Sequence, residues 1–205
     1  IRNYNVADTS VDWELARQIA TKIGDRNGAV SSYHYGTLSP DFERFTAQAE
    51  ELVAETTGLV SQMGNARGRV ADRPMWIDAN IESFQRLLKP LSKKLVNSDT
   101  SLLKEFGSKA SGAEMGMLLG WMSGRVLGQY DLLIIEDENP EDQDIVYYAG
   151  PNVLAIEKKY GFPPEEFRLW LALHECTHRA QFTGVPWLRD HFLGLVNKTL
   201  EAVDP

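Results

Sequence analysis

Two histidines and a glutamate in the stretch Leu169-Trp170-Leu171-Ala172-Leu173-His174-Glu175-Cys176-Thr177-His178-Arg179-Ala180-Gln181 have the types and spacing for metal-assisted hydrolysis. On a helix, positions four apart stand one turn above each other on the same face. His174 and His178 can then offer two imidazoles to one ion, and Glu175 can reach a metal-bound water as general base. The segment reads as a helix. Pro163-Pro164 and then Glu165-Glu166 open it, and no Gly or Pro follows until Gly184. Apolar residues (Phe167, Leu169, Trp170, Leu171, Leu173) fall nearly all round it, which predicts a buried helix. Buried histidines and a buried acid are costly unless paired or metal-bound, so a metal site is favoured over a merely hydrogen-bonded polar cluster.

Zinc takes at least three protein ligands and keeps an open position when it is catalytic. Downstream of His178 the candidates are Asp190, His191 and Glu201. A tight turn at 182–185 is expected to send the chain back into a last helix opened by Pro186 and running from Trp187 to about Val203. His191 then lies roughly 7 Å into that helix and Glu201 roughly 22 Å. His191 is the expected third ligand, with Asp190 behind it. His34 is a further candidate, as ligand, transition-state donor or plain loop histidine. Cys176, two residues from His174, is expected as a small buried hydrophobe and not a ligand. Arg179 is expected in an ion pair with Glu175 or with an acidic loop, or on a substrate carboxylate.

The rest of the chain must position these groups. Its 205 residues fit one domain (1–205), with a helical first part over 1–111 and a motif-bearing part over 112–205. Hydrophobic content of 43% and charged content of 24% are globular values. A net charge of −8 disfavours nucleic acid and anionic membrane as partners. A single cysteine excludes an internal disulfide and points to a reducing, cytoplasmic setting. There is no signal-like start and no apolar run long enough to cross a bilayer.

Helical spacing of apolar residues predicts a helix over 12–23 closed by Gly24. A second starts at Ser39-Pro40 and runs to about Thr57, and a third runs from Ile81 to Leu95 with a kink or break at Pro90. Arg67, Arg69 and Arg73 fall among helix-breaking glycines and read as a solvated face. Ala113–Leu127 reads as a core helix, its glycines and methionines permitting close packing. Leu132–Ile135 and Ile145–Tyr148, joined by an acidic loop over 136–144, predict a small hairpin. A helix over 153–160 closes at Gly161. The expected fold is therefore mainly α with a small β-hairpin or short sheet.

The segments His174–Gln181, Pro186-Trp187-Leu188-Arg189-Asp190-His191, Gly124–Asp131 and Ala149-Gly150-Pro151-Asn152 resemble a zincin-like metallopeptidase family of actinobacteria and their relatives. Members of that family have been described as hydrolases, some associated with deazaflavin-coenzyme biosynthesis. The resemblance covers residues 112–195, about half of the chain. It implies a largely helical zincin-like domain with zinc peptidase activity and no assigned substrate. The His-Glu-x-x-His element is common to all zincins, whereas Gly-Gln-Tyr-Asp and Pro-Trp-Leu-Arg-Asp-His are more specific. The chain departs from the metzincin pattern, having Gln181 and Gly184 where Gly and His would stand. It also departs from the thermolysin type, with His191 where a glutamate ligand would be sought.

The expected function is hydrolysis of a peptide or small amide by a zinc-activated water. His174, His178 and His191 hold Zn2+, and Glu175 is the base that later protonates the leaving amine. Tyr130, Tyr147, Tyr148 and His34 are candidate partners for the oxyanion, and the strand Ile145–Tyr148 is a candidate for pairing with extended substrate. The alternatives are a catalytically inactive zincin-like binding module and a hydrolase of a non-peptide amide, such as a glutamyl-linked coenzyme.

Overall fold

A computed structural model describes residues 11–25, 35–95, 101–130, 132 and 144–202, without the side chains of 89–95, 101–106 and 201. Seven helices and three strands are found in these residues. They run α1 (Trp13–Asp25), α2 (Tyr35–Thr57), β1 (Arg67–Ala71), α3 (Arg73–Leu95), α4 (Ser101–Ser123), β2 (Gly128–Tyr130), β3 (Ile145–Ala149), α5 (Gly150–Tyr160), α6 (Pro164–Gly184) and α7 (Leu188–Ala202). The mainly helical expectation with a short sheet holds. Among the described residues, no helix is long and apolar enough to cross a membrane.

The sheet has the order β1-β3-β2. β1 lies parallel to β3, with Arg67 opposite Ile145 and Ala71 opposite Ala149. β2 lies antiparallel to β3, with Gly128 opposite Tyr148 and Tyr130 opposite Val146. Side chains alternate across a strand, so β3 feeds two cores. Val146 and Tyr148 join Leu38, Phe42, Phe45, Ala49 and Val53 of α2 and Leu171, Ala172 and Cys176 of α6. Ile145 and Tyr147 join Ala20 of α1, Trp76, Ile77 and Ile81 of α3 and Leu119 of α4. Every residue of β3 is buried. The strand is central, so the expected pairing of Ile145–Tyr148 with substrate does not hold, because both of its edges are already hydrogen-bonded. The expected hairpin is present as the β2–β3 pair, but its first strand is Gly128–Tyr130. Of the expected strand Leu132–Ile135, only Leu132 is described, as a buried bend. The remainder of that strand and the loop over 136–143 lie outside the described residues.

β1 was not anticipated. Its alternating arginines hide an edge strand in which only Val70 and Ala71 are apolar. Arg67 and Arg69 line an open cleft of about 320 Å³ with Glu43 and Ile145. Arg73 turns instead to Asn152, at 3.2 Å. Helix α2 begins earlier than the Ser-Pro signal suggests, and Pro40 lies inside it. Pro40 leaves without a donor only the carbonyl of Gly36, whose residue is exposed to water. Helix α3 likewise continues through Pro90.

Helices α1 and α4 meet at unusually short range. Ala16, Ala20 and Gly24 recur every four residues on α1 and are buried. Ala16 lies against Gly116 of α4, Ala20 against Gly120 and Gly24 against Ser123. A Cβ on Gly116 would stand 2.6 Å from the Ala16 carbonyl oxygen, and one on Gly120 would stand 2.7 Å from Ile23 Cβ. Gly24 thus serves close packing and does not end the helix. Gly107, on the same helix, has nothing within 4 Å of such a Cβ. The same substitution should therefore have opposite signs at the two sites. Gly116→Ala is expected to lose about 1–3 kcal/mol through overpacking. Gly107→Ala should gain about 0.5–1 kcal/mol from helix propensity. Urea unfolding of the two variants checks this.

Candidate active site

Helix α6 carries the motif. Pro164 is its first residue and Glu165 and Glu166 its first acids, favourable for a helix start. It continues to Gly184, past the expected turn, because a Cβ-free residue there can lie against the backbone of Val60. Its buried stripe is Arg168, Leu171, Ala172, Glu175, Cys176, Arg179, Ala180 and Thr183. Trp170, His174 and His178 lie outside that stripe and are exposed, Trp170 by 55%. The expectation that the whole helix is buried is therefore corrected. The apolar count included aromatic residues that face outward, and the histidines carry no burial cost.

Within the motif the groups divide by 100° of helix rotation. The rings of His174 and His178 stand edge to face with centroids 4.8 Å apart, and Trp170 stacks beside His174 at 5.9 Å. Glu175 is buried, 5% exposed, between α6 and β2. Its neighbour there is Gly128, where a Cβ would stand 2.6 Å from Glu175 Oε1 and 2.7 Å from its Cγ. The backbone N–H of Tyr130 donates to the carboxylate. Burial pushes the Glu175 pKa up to about 7, and the Tyr130 N–H offsets part of that rise.

Tyr130 is half-buried. Its hydroxyl is buried and faces the Asp144 carboxylate. Burial and the nearby Asp144 carboxylate raise its pKa, while Arg179 and Arg189 pull the other way. Tyr148 has no exposed surface. It stacks on Phe42 at 3.9 Å, and its hydroxyl shares a 2.8 Å hydrogen bond with Thr46. Cys176 is a buried free thiol in the same core, and burial pushes its pKa up to about 12.

Arg179 takes the acidic-loop option and not Glu175. Its Nε lies 3.0 Å and its Nη2 2.5 Å from Asp144, the last residue of that loop, and its Nη1 lies 2.6 Å from Glu50. Three turns earlier, Arg168 binds Glu157 at 2.7 Å and Asp41 at 2.6 Å. These two buried ion-pair clusters fix α6 in rotation, so Glu175 faces β2 while the histidines face outward.

The fit to a metal is partial. Two imidazoles one helical turn apart suit two of the three positions zinc requires. Among the described residues, however, no group of three His, Cys, Asp or Glu side chains gathers to hold an ion. His191 is exposed on α7, with its ring against Trp187 at 5.7 Å. It does not join His174 and His178 in such a group, and neither does Asp190. Helix α7 touches α6 only lightly, and spacing along a helix cannot fix the angle between two helices. His34 lies outside the described residues.

A family model for zincin-like metallopeptidases matches residues 11–205. The chain belongs to the zincin-like metallopeptidase family. This zincin-like chain is also similar to a protein from Chloroflexus aurantiacus of known crystal structure, described as a "putative hydrolase with a novel fold". The two share 31% identity at a TM-score of 0.73, over 94% of this chain. The chain spans 60% of that protein's length. No match was found among curated protein sequences. The family is described as one of metallopeptidases, and its members usually bind zinc. Sequence reasoning missed the part played by Gly128 and the Tyr130 backbone, although both lie in the Gly-Gln-Tyr-Asp segment that carried the resemblance.

Proposed function

We propose that the protein is a zinc-dependent metallohydrolase cleaving a peptide or small amide bond, with Glu175 as general base. The observation that carries this reading is the division of labour on α6. An outward imidazole pair lies beside a carboxylate that the fold buries and holds, in a chain of zincin-like kinship. His174 and His178 would hold the zinc, with His191 proposed as the third donor. When bound, zinc supplies a water of lowered pKa and a positive charge to polarise the scissile carbonyl.

Glu175 accepts the proton of the attacking water and delivers it to the leaving nitrogen. Tyr130 is the proposed oxyanion donor, ahead of Tyr148, because Tyr130 belongs to the strand that packs on Glu175, whereas the Tyr148 hydroxyl is bonded to Thr46 inside the core. The acidic chain favours neither nucleic acid nor anionic membrane as partner. Its one cysteine, buried and free, accords with a cytoplasmic setting.

Hydrolysis of a peptide library by zinc-loaded protein, absent from a chelated control, is the expected result. Zinc-loaded protein that cleaves neither peptides nor small amides would establish the inactive binding module instead. The ligand set is checked separately by competitive zinc titration. His174→Ala and His178→Ala should each weaken zinc by on the order of a hundredfold or more, since loss of a mere supporting group costs about 10–100-fold. His191→Ala should do the same, and unchanged affinity there would remove His191 from the set.

A further inference from the structure

We propose that strand β2 is the positioning element for Glu175, with Gly128 and Gln129 as positioning residues. The inference rests on the reading of Glu175 as the general base. All three residues of the short strand have a distinct contact. Gly128 supplies room, since a Cβ there would stand 2.6, 2.7 and 2.8 Å from Oε1, Cγ and Cδ of Glu175. Only a backbone lacking that carbon can lie flat against the acid. Tyr130 supplies the N–H that the carboxylate accepts.

The register explains why that N–H is available. The Ala149 N–H donates to the Leu127 carbonyl at 2.8 Å, and Gln129 stands opposite Tyr147. In an antiparallel pair the intervening residues, Gly128 and Tyr130, turn their N–H and C=O groups away from the partner strand. On this sheet that is the outer edge of β2, where Glu175 sits.

Gln129 fixes the strand from behind. Its side-chain amide exchanges two hydrogen bonds with that of Asn80 on α3, each 3.2 Å, and Asn80 also donates to the Trp76 carbonyl at 2.8 Å. The glutamate side chain is long and would otherwise sample several rotamers. Held by β2 against the buried stripe of α6, it keeps one orientation beside the imidazole pair, as a base must if it is to reach a water in one place.

The test is a double-mutant cycle with two readouts. Gly128→Ala should lower the Tm of metal-free protein by roughly 4–8 °C through overpacking. In a Glu175→Ala background the same change should cost less than about 2 °C, because the atoms it meets are gone. Zinc-loaded Gly128→Ala should lose kcat by about a hundredfold, with KM and zinc affinity within about twofold of wild type. Gln129→Met, which keeps the strand and removes the amide pair, should lower kcat by about tenfold at unchanged KM. It serves if Gly128→Ala does not fold. Additive Tm losses, or an unchanged kcat in folded variants, would overturn the proposal. If the wild type itself hydrolyses nothing, the function proposed above falls. The stability cycle then decides alone whether β2 grips Glu175.

Discussion

Glu175→Gln is expected to abolish turnover while leaving zinc in place. Glutamine has the same shape and keeps a carbonyl oxygen for the Tyr130 N–H, so the packing against Gly128 survives. The variant lacks any group able to take a proton from water. General-base removal is worth about 10²–10⁴-fold. Glu175 is the only acid within the motif, so kcat should fall by at least about a thousandfold. Zinc affinity and KM should stay within about threefold, as expected when a group acts on the transition state and not on binding. Steady-state kinetics with zinc titration reads both. Zinc lost together with activity would make Glu175 a ligand and overturn its assignment as base.

The second large effect is structural. Arg179→Ala should destabilise the protein by about 3–5 kcal/mol, because it leaves Asp144 buried and without its partner. The Arg179 and Asp144 side chains are only 2% and 6% exposed. The same guanidinium reaches Glu50 on α2 and the Gly64 carbonyl at 2.8 Å, and Glu50 accepts the Ala66 N–H at 2.8 Å. One side chain thus ties the motif helix to α2, to the entry of β3 and to the loop before β1. Arg44→Ala is the control. Its pair with Glu165 is 53% and 73% exposed, so its loss should leave the unfolding midpoint essentially unchanged. Equal losses in denaturant unfolding would show that burial is not what gives the Arg179 cluster its weight.

Much of this architecture was legible in the residues. Phe45, Ala49 and Val53 follow helical spacing and lie on the buried face of α2. Gly161 closes α5 in the left-handed conformation, at φ 66. Proline and two acids mark where α6 starts. What escaped has physical causes. β1 pairs through its backbone while its side chains are largely polar, so periodicity had little to register. The described strand antiparallel to β3 is Gly-Gln-Tyr, whose three residues carry no apolar alternation to mark it.

The site divides in the same way. Which residues share a helix face follows from 3.6 residues per turn, so the imidazole pair and its offset acid could be read directly. Which face the fold buries depends on Arg168 and Arg179 finding acids on other elements, and nothing local encodes that. The position of α7, and with it His191, depends on an interhelical angle that linear spacing leaves open.

The ring contacts around the histidines also give the protein a built-in optical signal. An indole lies next to His174, at Trp170, and another next to His191, at Trp187. Charge arriving at either imidazole changes the surroundings of its own fluorophore. Emission from single-tryptophan variants would then report occupancy at each histidine separately, without substrate and without added dye.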